Sequence, residues 1–230
     1  MEKYKIFSGS ALKTIALITM MIDHVAHGLL INMDFAVTPF LTIGSVKISI
    51  YLICRLIGRI AFPIYCFLIT EGFIHTHDKR IYGANLLGFA LISEIPWNLE
   101  HTGTFLYSSQ NVFFTLFLGF FALCIYDRFK GQFGKLALSL GAVFIVAILL
   151  RADYGVKGVA IILLMYLLRQ YPVVQAFCCS APLNYPFASI FAFVPINMYN
   201  GERGFINNKV LKYIYYAAYP LHLLIIWMLR

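Results

Sequence analysis

Residues 12–31, LKTIALITMMIDHVAHGLLI, decide how the chain is read. Twenty helical residues rising 1.5 Å each cover ~30 Å, the thickness of a bilayer's hydrocarbon core. Lys3, Lys5 and Lys13 precede the apolar run as in a signal sequence. A small-residue cleavage site is absent, however, and Asp23-His24 interrupts the run, so it reads as an uncleaved first span. Working outward, seven more segments suit a membrane helix, at about 49–70, 80–97, 111–126, 134–150, 156–169, 183–198 and 209–229. Turn-forming and charged residues separate them, including Thr76-His77-Asp78-Lys79-Arg80, Lys130-Gly131-Gln132 and Asn200-Gly201-Glu202-Arg203-Gly204. The expected fold is an all-α polytopic membrane bundle of about eight spans, with residues 1–230 as one domain. No internal repeat appears, and no matching pair of broken spans of the inverted-repeat transporter kind.

Composition agrees with this reading. Of 230 residues, 61% are hydrophobic and 12% charged, and mean hydropathy is +0.80. Soluble domains average ~45–50% apolar and ~25% charged, so a soluble domain, a disordered chain, a coiled coil and a nucleic-acid binder are all excluded. The net charge of +8 marks cytoplasmic loops instead. With eight spans and a cytoplasmic N-terminus, ten Lys and Arg fall on inner segments and six on outer ones, with Arg55 and Arg59 inside a span. Both termini are therefore expected on the cytoplasmic side of a bacterial-type membrane. The five cysteines show no CxxC or Cys/His spacing, so neither a disulfide framework nor a zinc site is expected.

Ionisable residues at membrane depth cost at least ~2.5–3.5 kcal/mol each, so each is a candidate site. Eleven positions, or ~16 Å, separate Lys13 from His24, which carries His24 to mid-membrane. Asp23 adjoins it and His27 lies one turn on. His24 reads either as polar glue between helices or as a general base working near pH 7. Arg55 and Arg59, four apart, share a helical face. They suit a phosphate or carboxylate ligand, or pairing with Glu71 or Glu94 from other helices. His75 and His77 lack a third spaced ligand, so no metal is expected. Pro96 stops or kinks the third span beside Glu94 and Asn98, and Asn111 heads the fourth. His222, beside Tyr219, lies halfway along the last span.

The stretches LKTIALITMMIDH, RLIGRIAFPIYCFLITEG, ISEIP, NGERG and YPLH resemble, in order and over almost the full chain, the TraX family. That family is named for the enzyme that acetylates the N-terminus of F pilin. TraX proteins in turn resemble the wider transmembrane acyltransferases, including the acyltransferase-3 and heparan-alpha-glucosaminide acetyltransferase families. The resemblance implies a membrane-bound acetyltransferase that passes the acetyl group of cytoplasmic acetyl-CoA to an amine or hydroxyl acceptor, such as a peptide N-terminus, in or across the membrane. Lys13 stands where acyltransferase-3 proteins usually carry Arg, eleven before a first-span histidine. Their arginine pair sits near the cytoplasm, whereas eight spans put Arg55 in the outer half, which makes Lys79 and Arg80 the competing phosphate mouth.

The roles expected on this basis are as follows. His24 is the base, oriented by Asp23. Arg55 and Arg59 are anion or oxyanion partners, with Glu71 beside the chemistry, and Lys13, Lys79 and Arg80 attract the CoA phosphates. Glu94, Asn98, Asn111, Asn200, Arg203, Tyr219 and His222 line the acceptor cavity. Acetyl-CoA, the acceptor and membrane lipid are the partners, without metal or nucleic acid. A proton-coupled transporter is the alternative, since His and Glu within spans also build proton relays.

Overall fold

Ser8 begins the first helix, its hydroxyl accepting the Ala11 amide at 3.3 Å, and α1 then runs Gly9–Gly28. The computed structural model describes residues 4–230. After a 3-10 turn, short α2 (Asp34–Val37) leads to an exposed hairpin, β1 (Leu41–Ile43) against β2 (Val46–Ile48), with Leu41 opposite Ile48. Gly44, at φ +60°, permits the two-residue turn. Ser49 caps α3 (Ile50–Gly58), and after a break at Arg59-Ile60 the same column continues as α4 (Ala61–His75). Asp78 caps α5 (Lys79–Thr102) and Asn111 caps α6 (Val112–Phe129). Then follow α7 (Phe133–Leu149), α8 (Gly155–Leu167), α9 (Pro172–Ser180), α10 (Pro186–Ser189) and α11 (Phe193–Asn197). Asn208 caps α12 (Lys209–Leu229).

The protein is an all-α bundle of membrane type, and the small hairpin is the one sheet among the described residues. Four stretches are long and apolar enough to cross a membrane: Gly9–Asn32, Ile50–His75, Val112–Phe129 and Lys209–Leu229. Its core lies where α1, α4, α5, α6 and α8 meet, around buried Leu12, Ile64, Leu86, Leu123, Ile161 and Ile162. Leu91, Leu138, Ile148 and Leu149 stand exposed on the outer surface, as lipid-facing side chains do.

Two expectations require correction. Pro96, expected to stop or kink its helix, does not stop it, because α5 runs through it to Thr102 and Gly103 terminates it at φ +68°. The proline removes one hydrogen bond, while Trp97, Asn98, Leu99 and Glu100 beyond it are all buried and hold the last turns in place.

The second correction concerns the end of the chain. Residues 183–198 do not cross as one span; they are the returning arm of a helical hairpin. α9 packs antiparallel on α8, with Gln175 Nε2 donating to the Met165 carbonyl at 2.7 Å and Cys179 Sγ lying 3.9 Å from the Ile161 carbonyl. Its nine residues rise ~13 Å, and the twelve from Pro186 to Asn197 rise ~18 Å, so neither arm spans ~30 Å. The hairpin returns to where it began, with Tyr199 paired to Phe7. As a result α12 runs parallel to α1, touching it first at Thr14–Tyr215 (2.8 Å) and last where Ile226 packs on Gly28. The start of α1 and the end of α12 therefore lie at opposite ends of the bundle instead of sharing one. Arg203, Lys209 and Lys212 move to the Phe7 end and Arg230 to the other, so among the described residues the division of Lys and Arg changes from nine against six to eleven against four. Lys3, counted with the inner ten in the sequence, lies outside the described residues.

Candidate functional site

Neighbouring residues on a helix do not face each other, and α1 uses this to separate two functions. Asp23 turns toward α3. Its carboxylate accepts from Arg59 Nη2 at 2.6 and 2.7 Å and lies 2.9 Å from Arg55 Nη1. Gly58 allows this, since a Cβ there would overlap the Asp23 side chain. The arginine pair is thus held by Asp23, and neither Glu71 nor Glu94 is its partner.

His24 turns instead toward α12, where its Nδ1 lies 2.5 Å from His222 Nε2 and the two rings are coplanar within 2°. His222 Nδ1 is 2.9 Å from the Ala218 carbonyl. A carbonyl only accepts, so His222 Nδ1 carries the proton, and neutral His222 then accepts at Nε2 from His24 Nδ1. That fixes the His24 tautomer and leaves Nε2 as a lone pair without a hydrogen bond to the protein. His222, and not Asp23, orients His24.

Tyr219 stands edge-on to both imidazoles, with centroids 6.1 Å from His24 and 5.6 Å from His222. It is buried, and its hydroxyl has no hydrogen-bond partner. It forms, with Met20 and Phe113, the inner end of a cavity of about 600 Å³. The other end opens at the Phe7 end of the bundle, among Lys13, Arg203 and Lys212. Tyr65, Tyr82, Tyr215 and Tyr216 form much of the wall between.

The NGERG loop forms one lip of that mouth. Ser10 donates its hydroxyl to the Arg203 carbonyl at 2.7 Å and accepts the Ile206 amide at 2.8 Å. Gly204, at φ +79°, lies so close to Ser8 that a Cβ there would overlap its side chain.

The remaining expected residues fall elsewhere. Glu71 lines the mouth beside His75, whose Nε2 is 3.3 Å away, and stands twelve helical residues, or ~18 Å, beyond Arg59. Lys79 is engaged by Asp127 at 3.1 Å and by the Phe73 ring at 4.0 Å, Arg80 is exposed, and neither lines the cavity. Glu94 accepts from Asn111 Nδ2 at 2.7 Å, and Asn111 also caps α6, so this pair joins α5 to α6. Asn98 Nδ2 donates to the Phe105 carbonyl at 2.8 Å. Asn200 shapes its own loop by accepting the Glu202 amide at 2.9 Å. The structure therefore brings Lys13, Arg203 and Tyr219 to one cavity, sets His24 and His222 against Tyr219 without placing them in its lining, and separates Glu94, Asn98, Asn111, Lys79 and Arg80 from them. Sequence reasoning missed Lys212 and the tyrosines as cavity residues. Lys212 sits one turn into the last span, a position that marks it as facing protein or water, and this was the available signal.

Comparison with known proteins places this arrangement. The chain is 27% identical, over 94% of its own length and 93% of the relative's, to the "probable fimbrial assembly protein FimC, serogroup H1" of Dichelobacter nodosus. No solved structure matches it. The profile of the TraX family, described as "TraX protein", matches residues 8–230 and so takes in the histidine pair, the NGERG loop and the whole cavity; the chain belongs to the TraX family.

Proposed function

We propose that this protein is an integral membrane acetyltransferase that takes the acetyl group of acetyl-CoA and passes it to an amine or hydroxyl. The observation that carries the reading is the cavity, which runs from a mouth of three cations to Tyr219, whose hydroxyl is without a partner and whose ring stands edge-on to the His24–His222 pair. Among the described residues eleven Lys and Arg lie at the mouth's end of the bundle and four at the other, a bias that favours a cytoplasmic mouth, where acetyl-CoA is found. Lys13, Arg203 and Lys212 replace Lys79 and Arg80 as the residues that meet the CoA phosphates. The ~16 Å from Lys13 to His24 is the reach asked of the phosphopantetheine arm.

Beside Tyr219, next to the inner end, His24 Nε2 takes the proton of the acceptor as its nitrogen or oxygen attacks the thioester carbon. The Tyr219 hydroxyl donates to the developing oxyanion. The carbon–sulfur bond breaks, and the proton held by His24 passes to the departing CoA thiolate. Arg55 and Arg59, ion-paired with Asp23, anchor the helix that carries His24. The name of the relative, a fimbrial assembly protein, makes the N-terminal amine of a fimbrial subunit the first acceptor to try.

The test is transfer of radiolabel from acetyl-CoA to subunit N-terminal peptides by the purified protein. His24→Ala is expected to lower kcat by ~10²–10⁴, and Tyr219→Phe by ~10²–10³. Lys13→Gln with Lys212→Gln is expected to raise KM for acetyl-CoA and flatten its salt dependence. Label that never leaves acetyl-CoA, or a His24→Ala protein of normal turnover, overturns the proposal, and proton-driven flux in vesicles would then favour a transporter.

A further inference from the structure

At the bundle end opposite the mouth, α1 and α5 bring His27, Glu100 and His101 together, with one ligating atom from each within 4.8 Å of the others. Glu100 is 1% exposed, yet neither carboxylate oxygen has a hydrogen-bond partner. Oε2 lies 2.7 Å from His101 Nδ1, but that nitrogen is hydrogen bonded to the Trp97 carbonyl at 3.0 Å. Arg230, the nearby cation, donates to the Glu100 backbone carbonyl at 2.9 Å and not to its carboxylate. A carboxylate removed from water without hydrogen bonds requires a cation or a proton. Gly28 makes room for the group, because a Cβ there would lie 3.0 Å from Glu100 Oε1 and overlap Ile226.

We infer that His27, Glu100 and His101 bind a divalent transition-metal ion, zinc first. Two imidazole nitrogens and one carboxylate oxygen are the donor set of zinc sites that keep a fourth position open. Nitrogen donors disfavour calcium and magnesium, which take oxygen ligands. Around a tetrahedral ion with bonds of ~2.0–2.1 Å the three donors stand about 3.3 Å apart. The three donors lie within 4.8 Å of one another and draw in to that spacing as the ion binds. The Trp97 ring packs on His101 at 3.7 Å and steadies one of them. The two ligating segments are far apart in sequence, so no metal-binding spacing exists to be read.

The experiment uses the full-length protein in detergent, stripped with chelator and dialysed against zinc. One zinc per chain is expected by mass spectrometry of the metal. Glu100→Gln, of nearly the same shape, should weaken uptake by more than the ~10–100-fold that loss of an outer partner costs. Cobalt should replace zinc and give visible absorption bands that His27→Gln removes. Where a variant does not fold, the cobalt spectrum and metal stoichiometry of the unmodified chain decide. Substoichiometric metal, uptake unchanged in Glu100→Gln, or uptake lost in a His75→Ala, His77→Ala double variant overturns the inference, and in the first case Glu100 and His101 simply share a proton.

Discussion

An alanine at Gly58 would drive its methyl group into Asp23, the residue that holds both arginines. Gly58→Ala is therefore expected to destabilise the protein by about 1–3 kcal/mol, as overpacked contacts do. Gly88→Ala, with open space around the added methyl, is the control, and detergent-solubilised thermal unfolding measures the difference. The histidine pair makes a different prediction. His222→Ala leaves His24 on its helix but without a partner to fix its tautomer, so kcat should fall while KM for acetyl-CoA stays near normal; a rise in KM alone would count against the relay. His24 and His222 were each legible in the sequence, as ionisable residues in apolar spans, and Lys13 and Arg203 were named with them. Their pairing was not legible, since 198 residues separate them. The choice of Asp23 to orient His24 neglected the roughly 100° between consecutive helical side chains, which a helix of 3.6 residues per turn imposes. Lys79 was misjudged for another reason, because its partner Asp127 lies on a different helix.

At the scale of elements, the NGERG loop is attached to the start of α1 chiefly through Ser10. Ser10→Ala would leave the Ile206 amide and the Arg203 carbonyl without that hydroxyl, at an expected cost of about 1–3 kcal/mol. Because the loop is one lip of the mouth, the same variant should raise KM for acetyl-CoA, which a purely thermal defect would not do below the unfolding transition. Helix positions were read well wherever an apolar run approached twenty residues, as in α1, α6 and α12. The α9–α11 hairpin is not legible in the sequence because its arms are short and start with Pro172 and Pro186, and the apolar second arm with its flanks has the length of a span. The β1–β2 hairpin escaped in the same way, being three residues per strand.

At the scale of the whole molecule, the parallel course of α1 and α12 predicts that a reporter fused after Arg230 and one fused at the N-terminus report opposite compartments. Alkaline phosphatase should be active on the C-terminal fusion and inactive on the N-terminal one, with fluorescent-protein fusions giving the reverse pattern. Two reporters in one compartment would contradict the hairpin. The meeting of His24 with His222 also has a consequence for biogenesis. At ~5–20 residues per second, a ribosome needs roughly 10–40 s between the two histidines. Through that interval the first helix sits in the bilayer with its imidazole unmated, and a chain that stalls before α12 is an inserted fragment without the histidine pair, which is completed only as the last helix is laid down.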